Sequence, residues 1–94
     1  MGIRIKILDN LFCPVIECDH CGKLIERSGN YEWKHDGDGM IYFTHKECCR
    51  TFEEQHGGRA QWYCTEIACL PVYLLNNLEV TYKDAAAKVG QRAG

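Results

Sequence analysis

Four residues of this chain have the types and the spacing to hold a metal ion. Cys18 and Cys21 sit three apart, and further along His45 and Cys48 sit three apart, giving C-x2-C-x23-H-x2-C. Thiolate sulfur and imidazole nitrogen are the donors that tetrahedral zinc takes, and four of them close around the ion. The two residues between Cys18 and Cys21 form a tight turn that aims both sulfurs at one atom. The backbone N–H groups of such a turn can donate to the thiolates. Gly22, directly after the pair, suits a backbone that needs positive φ.

Other donors compete for these places. Cys49 could replace Cys48, although Cys48 has the better helical register with His45. A second metal drawn from Cys13, Cys64 and Cys69 is an alternative to the plainer reading, in which Cys13, Cys49, Cys64 and Cys69 are small buried apolar side chains. His20, inside the turn, should face solvent. His35 and His56 read as surface or capping residues, and Trp33 and Trp62 as core. Asp36 and Asp38 lack the later oxygen ligands of a calcium loop, so residues 36–39 read as a plain turn.

The elements that position the four donors follow from local pattern. Residues 3–8 alternate and are β-branched, as in a strand that Asp9 and Asn10 end. Residues 23–27 can form a short strand, 28–30 a turn, and 31–35 and 40–43 the two arms of a hairpin. Thr44 and Glu47 have capping-box spacing, which predicts a helix starting at His45 with Cys48, Cys49 and Phe52 towards its inner face. Its positive N-terminal end would favour a thiolate at Cys48. Gly57 and Gly58 should end it. Residues 59–70 are ambiguous, with Trp62, Tyr63, Ile67 and Leu70 as core candidates and Pro71 allowed only in a first helical turn. Val72, Leu74, Leu75 and Leu78, with Tyr73, read most simply as core. Thr81 and Asp84 open a last helix carrying Tyr82, Ala85, Ala86 and Val89. Gly90 should stop that helix and leave residues 91–94 frayed.

A knuckle, a hairpin and then a helix that supplies the second ligand pair resembles a treble-clef zinc finger. The spacing resembles the first zinc site of a LIM domain. The resemblance covers roughly residues 18–56 and implies Cys18 and Cys21 as knuckle ligands, with His45 and Cys48 as the second pair. It stops there: a LIM domain continues with another C-x2-C after Cys48, whereas Arg50, Thr51 and Phe52 follow Cys49 here. The expected architecture is α+β: a single-zinc, treble-clef-like finger with a helical C-terminal extension. One domain would span residues 1–94, with an N-terminal strand (1–12), the finger (13–58) and the extension (59–94).

Size and charge narrow the function. The chain has 94 residues, 46% of them hydrophobic, so its core should be modest and a metal staple useful. A net charge of -2 gives no general attraction to nucleic acid or anionic membrane. No stretch approaches the ~18 apolar residues of a membrane span, and residues 1–7 lack the apolar centre of an export signal. Seven cysteines without such a signal point to a reduced, cytoplasmic setting. A closed four-ligand site is structural, so the leading expectation is a non-enzymatic zinc protein that binds protein partners, including a second copy through the C-terminal helices. Nucleic-acid binding is the alternative: Ala86-x-x-x-Gly90 resembles the first half of a helix-turn-helix, with Lys83, Lys88 and Arg92 as a small basic face. The second helix of that motif is missing. A thiol redox or metal sensor using Cys18 and Cys21 is the third, without the strand–helix context of a redox pair.

Overall fold

The computed structural model describes residues 2–37 and 39–93. Strands β1 (Gly2–Leu8) and β2 (Leu11–Glu17) form an antiparallel hairpin. Strands β3 (Gly29–Lys34), β4 (Tyr42–His45) and β5 (Trp62–Glu66) form a second antiparallel sheet in the order β4-β3-β5. Three helices complete the α+β fold: α1 (Lys46–Gln55), α2 (Leu70–Asn77) and α3 (Tyr82–Ala93).

The first hairpin turns on Asp9 and Asn10, whose φ values of 49° and 66° are those of a two-residue type I′ turn. These residues end β1 as expected, but they also return the chain as β2, a strand that the run-in to the thiol pair did not suggest. Pro14 is tolerated there because a two-stranded sheet has only edges. Arg4 and Lys6, on one face, each reach Glu17 at 2.9 Å.

In the three-stranded sheet, pairing divides the side chains between two faces. Tyr31 lies opposite Phe43 and Thr65; Glu32 lies opposite Tyr42 and Cys64. The Tyr31 face carries the core, where Tyr31, Phe43 and Leu70 pack with Ile16, Ile25, Trp33 and Ile67. The Glu32 face is covered by α1. There Phe52 packs between Tyr42, tilted against it, and Trp62, edge-on to it, at ring separations of 5.8 and 5.3 Å.

Several local expectations give way to tertiary contacts. Residues 23–27 form no strand; a single bridge joins Glu17 to Leu24. Gly29 and Asn30 belong to β3 rather than to a turn, because Gly29 is pressed against β4: a Cβ there would lie 2.6 Å from the Thr44 carbonyl oxygen. Strand β4 runs two residues past the expected end, so His45 closes a strand and α1 starts at Lys46. Thr44 does not cap α1. It is fully buried, and its hydroxyl donates to Glu32 at 2.7 Å. The ambiguous segment contains β5, the third strand.

Helix α1 ends as expected near Gly57 and Gly58, where the Gly58 N–H returns to the Glu53 carbonyl. Pro71 sits in the first turn of α2. Most of the α2 stripe is not core: Leu70 is buried and Leu75 half-buried, but Val72, Tyr73, Leu74 and Leu78 are exposed. At α3 the Thr81 hydroxyl accepts the Asp84 N–H at 3.2 Å, as its spacing implies. That helix passes through Gly90 to Ala93, since glycine weakens a helix without removing a backbone donor. The predicted contributions of Asp38, Gly94 and the Arg92 side chain lie outside the described residues. No helix among the described residues is long and apolar enough to cross a membrane.

Candidate metal centre

Strand β2 delivers Glu17 to the sheet side of the molecule, and the knuckle turn begins at the next residue. The Gly22 N–H donates to the Cys18 carbonyl at 2.9 Å and the Cys18 N–H to the Lys23 carbonyl at 2.9 Å. Gly22 has φ 78°, the left-handed conformation expected after the thiol pair. The turn is pinned to β4 from both sides of one residue. The Asp19 N–H donates to the Phe43 carbonyl at 2.7 Å, and Asp19 Oδ2 accepts the Phe43 N–H at 2.7 Å. Two residues beyond Phe43 stands His45, and Cys48 follows in the first turn of α1.

Cys18, Cys21, His45 and Cys48 therefore converge. One donor atom from each lies within 4.8 Å of all the others. His45 Nδ1 is 3.4 Å from the Cys21 sulfur and 4.0 Å from that of Cys48. Its other ring nitrogen, Nε2, sits 2.9 Å from the Leu24 carbonyl. A proton on Nε2 satisfies that oxygen and leaves the Nδ1 lone pair facing the sulfurs, which is the outer-shell clamp that orients a metal-binding imidazole. Cys18 is fully buried and Cys21 exposed, so the group lies at the surface edge of the fold.

The electrostatics of the group suit a cation. Burial opposes ionisation of Cys18, but N–H groups of Cys21, His45 and His20 and the His45 ring hold its thiol down to about 7. Cys48 goes the other way. Burial, and then the neighbouring Cys18 and Cys21 sulfurs, push it up to about 12. The helix N-terminus therefore does not by itself make Cys48 a thiolate. Sulfurs this close cannot all be negative unless a positive ion stands between them. Three thiols and an imidazole are a donor set that fits zinc.

The remaining cysteines divide differently from the expectation. All seven are free thiols. Cys64 is exposed and Cys13 and Cys69 are half-buried; only Cys49 is a buried side chain. Its surroundings are polar, since its sulfur lies 3.3 Å from Glu32 Oε1 and 3.1 Å from Glu53 Oε2. Cys49, Glu53 and Cys64 form a second group whose donor atoms are within 4.8 Å of one another. The local sequence does not reveal this group, because only the pairing of β5 with β3 brings Cys64 to Cys49 and Glu53. The i,i+4 spacing of Cys49 and Glu53 was the available signal. Burial, then the bond with Glu53, pushes the Glu32 carboxyl up to about 7. Glu53 stays below the usual carboxylate range despite its burial, held there by bonds from Glu32, Cys49 and Arg59.

His35 stacks on Tyr63 at the surface, and His56 caps α1 with Nδ1 2.7 Å from the Phe52 carbonyl. Both fit the surface and capping roles read from the sequence. Trp62 is buried, whereas Trp33 is half-buried between Tyr31 and Tyr63. No protein-family model, curated protein or solved structure matches the chain.

Proposed function

We propose that the protein is a non-enzymatic zinc-binding module, a single-zinc finger of treble-clef type in which Cys18, Cys21, His45 and Cys48 hold one structural ion. The observation that carries this reading is the convergence of four protein donors with the His45 ring already clamped through Leu24. Four protein ligands leave no coordination position for water or substrate, and a closed site of this kind supplies folding free energy rather than chemistry. The ion ties the knuckle, the end of β4 and the start of α1 together where the apolar core is thin.

The work of the folded module is to bind protein. Val72, Tyr73, Leu74 and Leu78 of α2 are exposed, and so are Tyr82 and Val89 of α3. Apolar faces of this extent on a small domain serve as contact surfaces, and a second copy meeting them through the C-terminal helices is the simplest partner. Free thiols in these numbers suit the reducing cytoplasm.

Metal removal tests the proposal. Chelation of purified protein should release one tightly held zinc from this site and abolish the cooperative melting transition, because binding of a structural zinc is worth on the order of 10 kcal/mol. An unchanged far-UV spectrum and melting curve after verified metal removal would refute it.

A further inference from the structure

The second group of donors is built by a different logic from the first. Glu32 of β3 and Cys64 of β5 are direct cross-strand partners, so both side chains stand on the face of the sheet that α1 covers. Cys49 and Glu53 are one helical turn apart, so both stand on one side of α1. The result is two thiols and two carboxylates gathered between a helix and a sheet. The donor atoms of Cys49, Glu53 and Cys64 are mutually within 4.8 Å, and Glu32 Oε1 is 3.3 Å from the Cys49 sulfur.

Two carboxyl groups share this space with one guanidinium. Glu32 is fully buried and Glu53 is 3% exposed. The Arg59 guanidinium pairs with Glu53, its Nε 3.1 Å from Oε1, and its side chain is about half exposed. One thiol hydrogen on Cys49 faces oxygens of both carboxylates. Burying two carboxyl groups together requires either a retained proton or a positive ion.

From this arrangement we propose a second metal site, formed by Cys49, Glu53 and Cys64 with Glu32 beside them, that takes a divalent cation of the zinc class. Mixed sulfur and oxygen donors select such an ion over calcium or magnesium, which take oxygen alone. Cys64, exposed on the outer strand, gives the ion its way in, and Arg59 can turn outward to solvent as the ion replaces its charge. Neighbouring residues Cys48 and Cys49 thus serve different centres, one at the knuckle and one beneath the helix.

Metal counting on the full chain decides this. Metal-free protein, prepared under reducing conditions, is titrated with cobalt(II) or zinc(II), and bound ions are counted by native mass spectrometry. Cobalt–thiolate absorption follows each site. The wild type should bind two ions. Cys64→Ser, a change at an exposed position, should bind one and keep its fold. Glu53→Gln should likewise lose the second ion. Cys21→Ser leaves three donors at the first centre, so at saturating metal it should keep its fold and both ions with a lower affinity at the first, which separates this proposal from the structural-zinc reading. One ion in the wild type, unchanged in Cys64→Ser, overturns the second site. Two ions in both proteins overturn the assignment of Cys64. No ion in any of them overturns both centres. One ion in the wild type that is lost in Cys64→Ser but kept in Cys21→Ser supports the second centre and removes the first.

Discussion

Asp19 does as much to shape the knuckle as the cysteines beside it. Its backbone and its carboxylate bracket the peptide of Phe43 with two 2.7 Å hydrogen bonds, which tie the Cys18–Cys21 turn to β4 two residues before His45. A carboxylate accepting a backbone N–H in a partly buried place contributes about 1.5–3 kcal/mol. Asp19→Ala should lower the unfolding free energy by that amount in urea titrations, while retaining one zinc at the knuckle with weakened affinity. Thr44 teaches the converse lesson about local motifs. Its spacing to Glu47 is that of a capping box, yet its hydroxyl serves Glu32 across the sheet. A buried carboxyl left without that donor would cost more than an uncapped helix end, whose N–H groups can turn to water. The four ligand candidates were legible because the residue types are rare and their spacing is chemical. The second group was not, because nothing in the local sequence pairs Glu32 with Cys64.

At the level of elements, β3 is the central piece: it pairs with both β4 and β5 and supplies a residue to each face. Gly29, where β3 opens, lies so close to β4 that an added methyl would meet the Thr44 carbonyl at 2.6 Å, with Ile25 and Ile67 side chains at 3.0 and 3.1 Å. Gly29→Ala should cost about 1–3 kcal/mol, as overpacking does, and should weaken metal affinity because Thr44 precedes His45. Phe52 is the corresponding anchor of α1. It is 2% exposed and packs on Tyr42, Trp62 and His56. Phe52→Ala should lower stability by about 3–5 kcal/mol, and calorimetry of the zinc-loaded protein should register it as a lower melting temperature. Helix α1 was readable from its spacing and its glycine end. Strand β5 was not, because a five-residue strand with a cysteine and a threonine carries little periodicity of its own.

The whole molecule is more open than its size requires. Its surface is 7211 Å², where a close-packed monomer of this mass would expose roughly 5500 Å². Its radius of gyration is 15.1 Å against about 12.4 Å for a compact chain of this length. The excess comes from the β1–β2 hairpin, whose Ile5, Ile7 and Phe12 share one exposed face, and from α2 and α3. An isolated hairpin is marginal in water and an exposed face of this kind associates. Light scattering at micromolar concentration should therefore give a mass above the 10.8 kDa of one chain. Replacing Leu74 and Leu78 with Ser should return the monomer if the C-terminal helices form the contact. A monomer at every concentration would leave these faces to a different protein.

The sequence by itself determined the knuckle, the paired thiols and the His45–Cys48 pair, because metal-donor spacing and turn chemistry act over a few residues and leave a local trace. It also marked the end of β1 by Asp9 and Asn10 and the start of α3 by the Thr81–Asp84 spacing. Only the tertiary structure decided that β5 joins β3, that Thr44 faces Glu32 instead of capping α1, and that Cys49, Glu53 and Cys64 meet. Those outcomes rest on cross-strand register and burial, which are properties of distant segments brought together and have no signature in either segment alone.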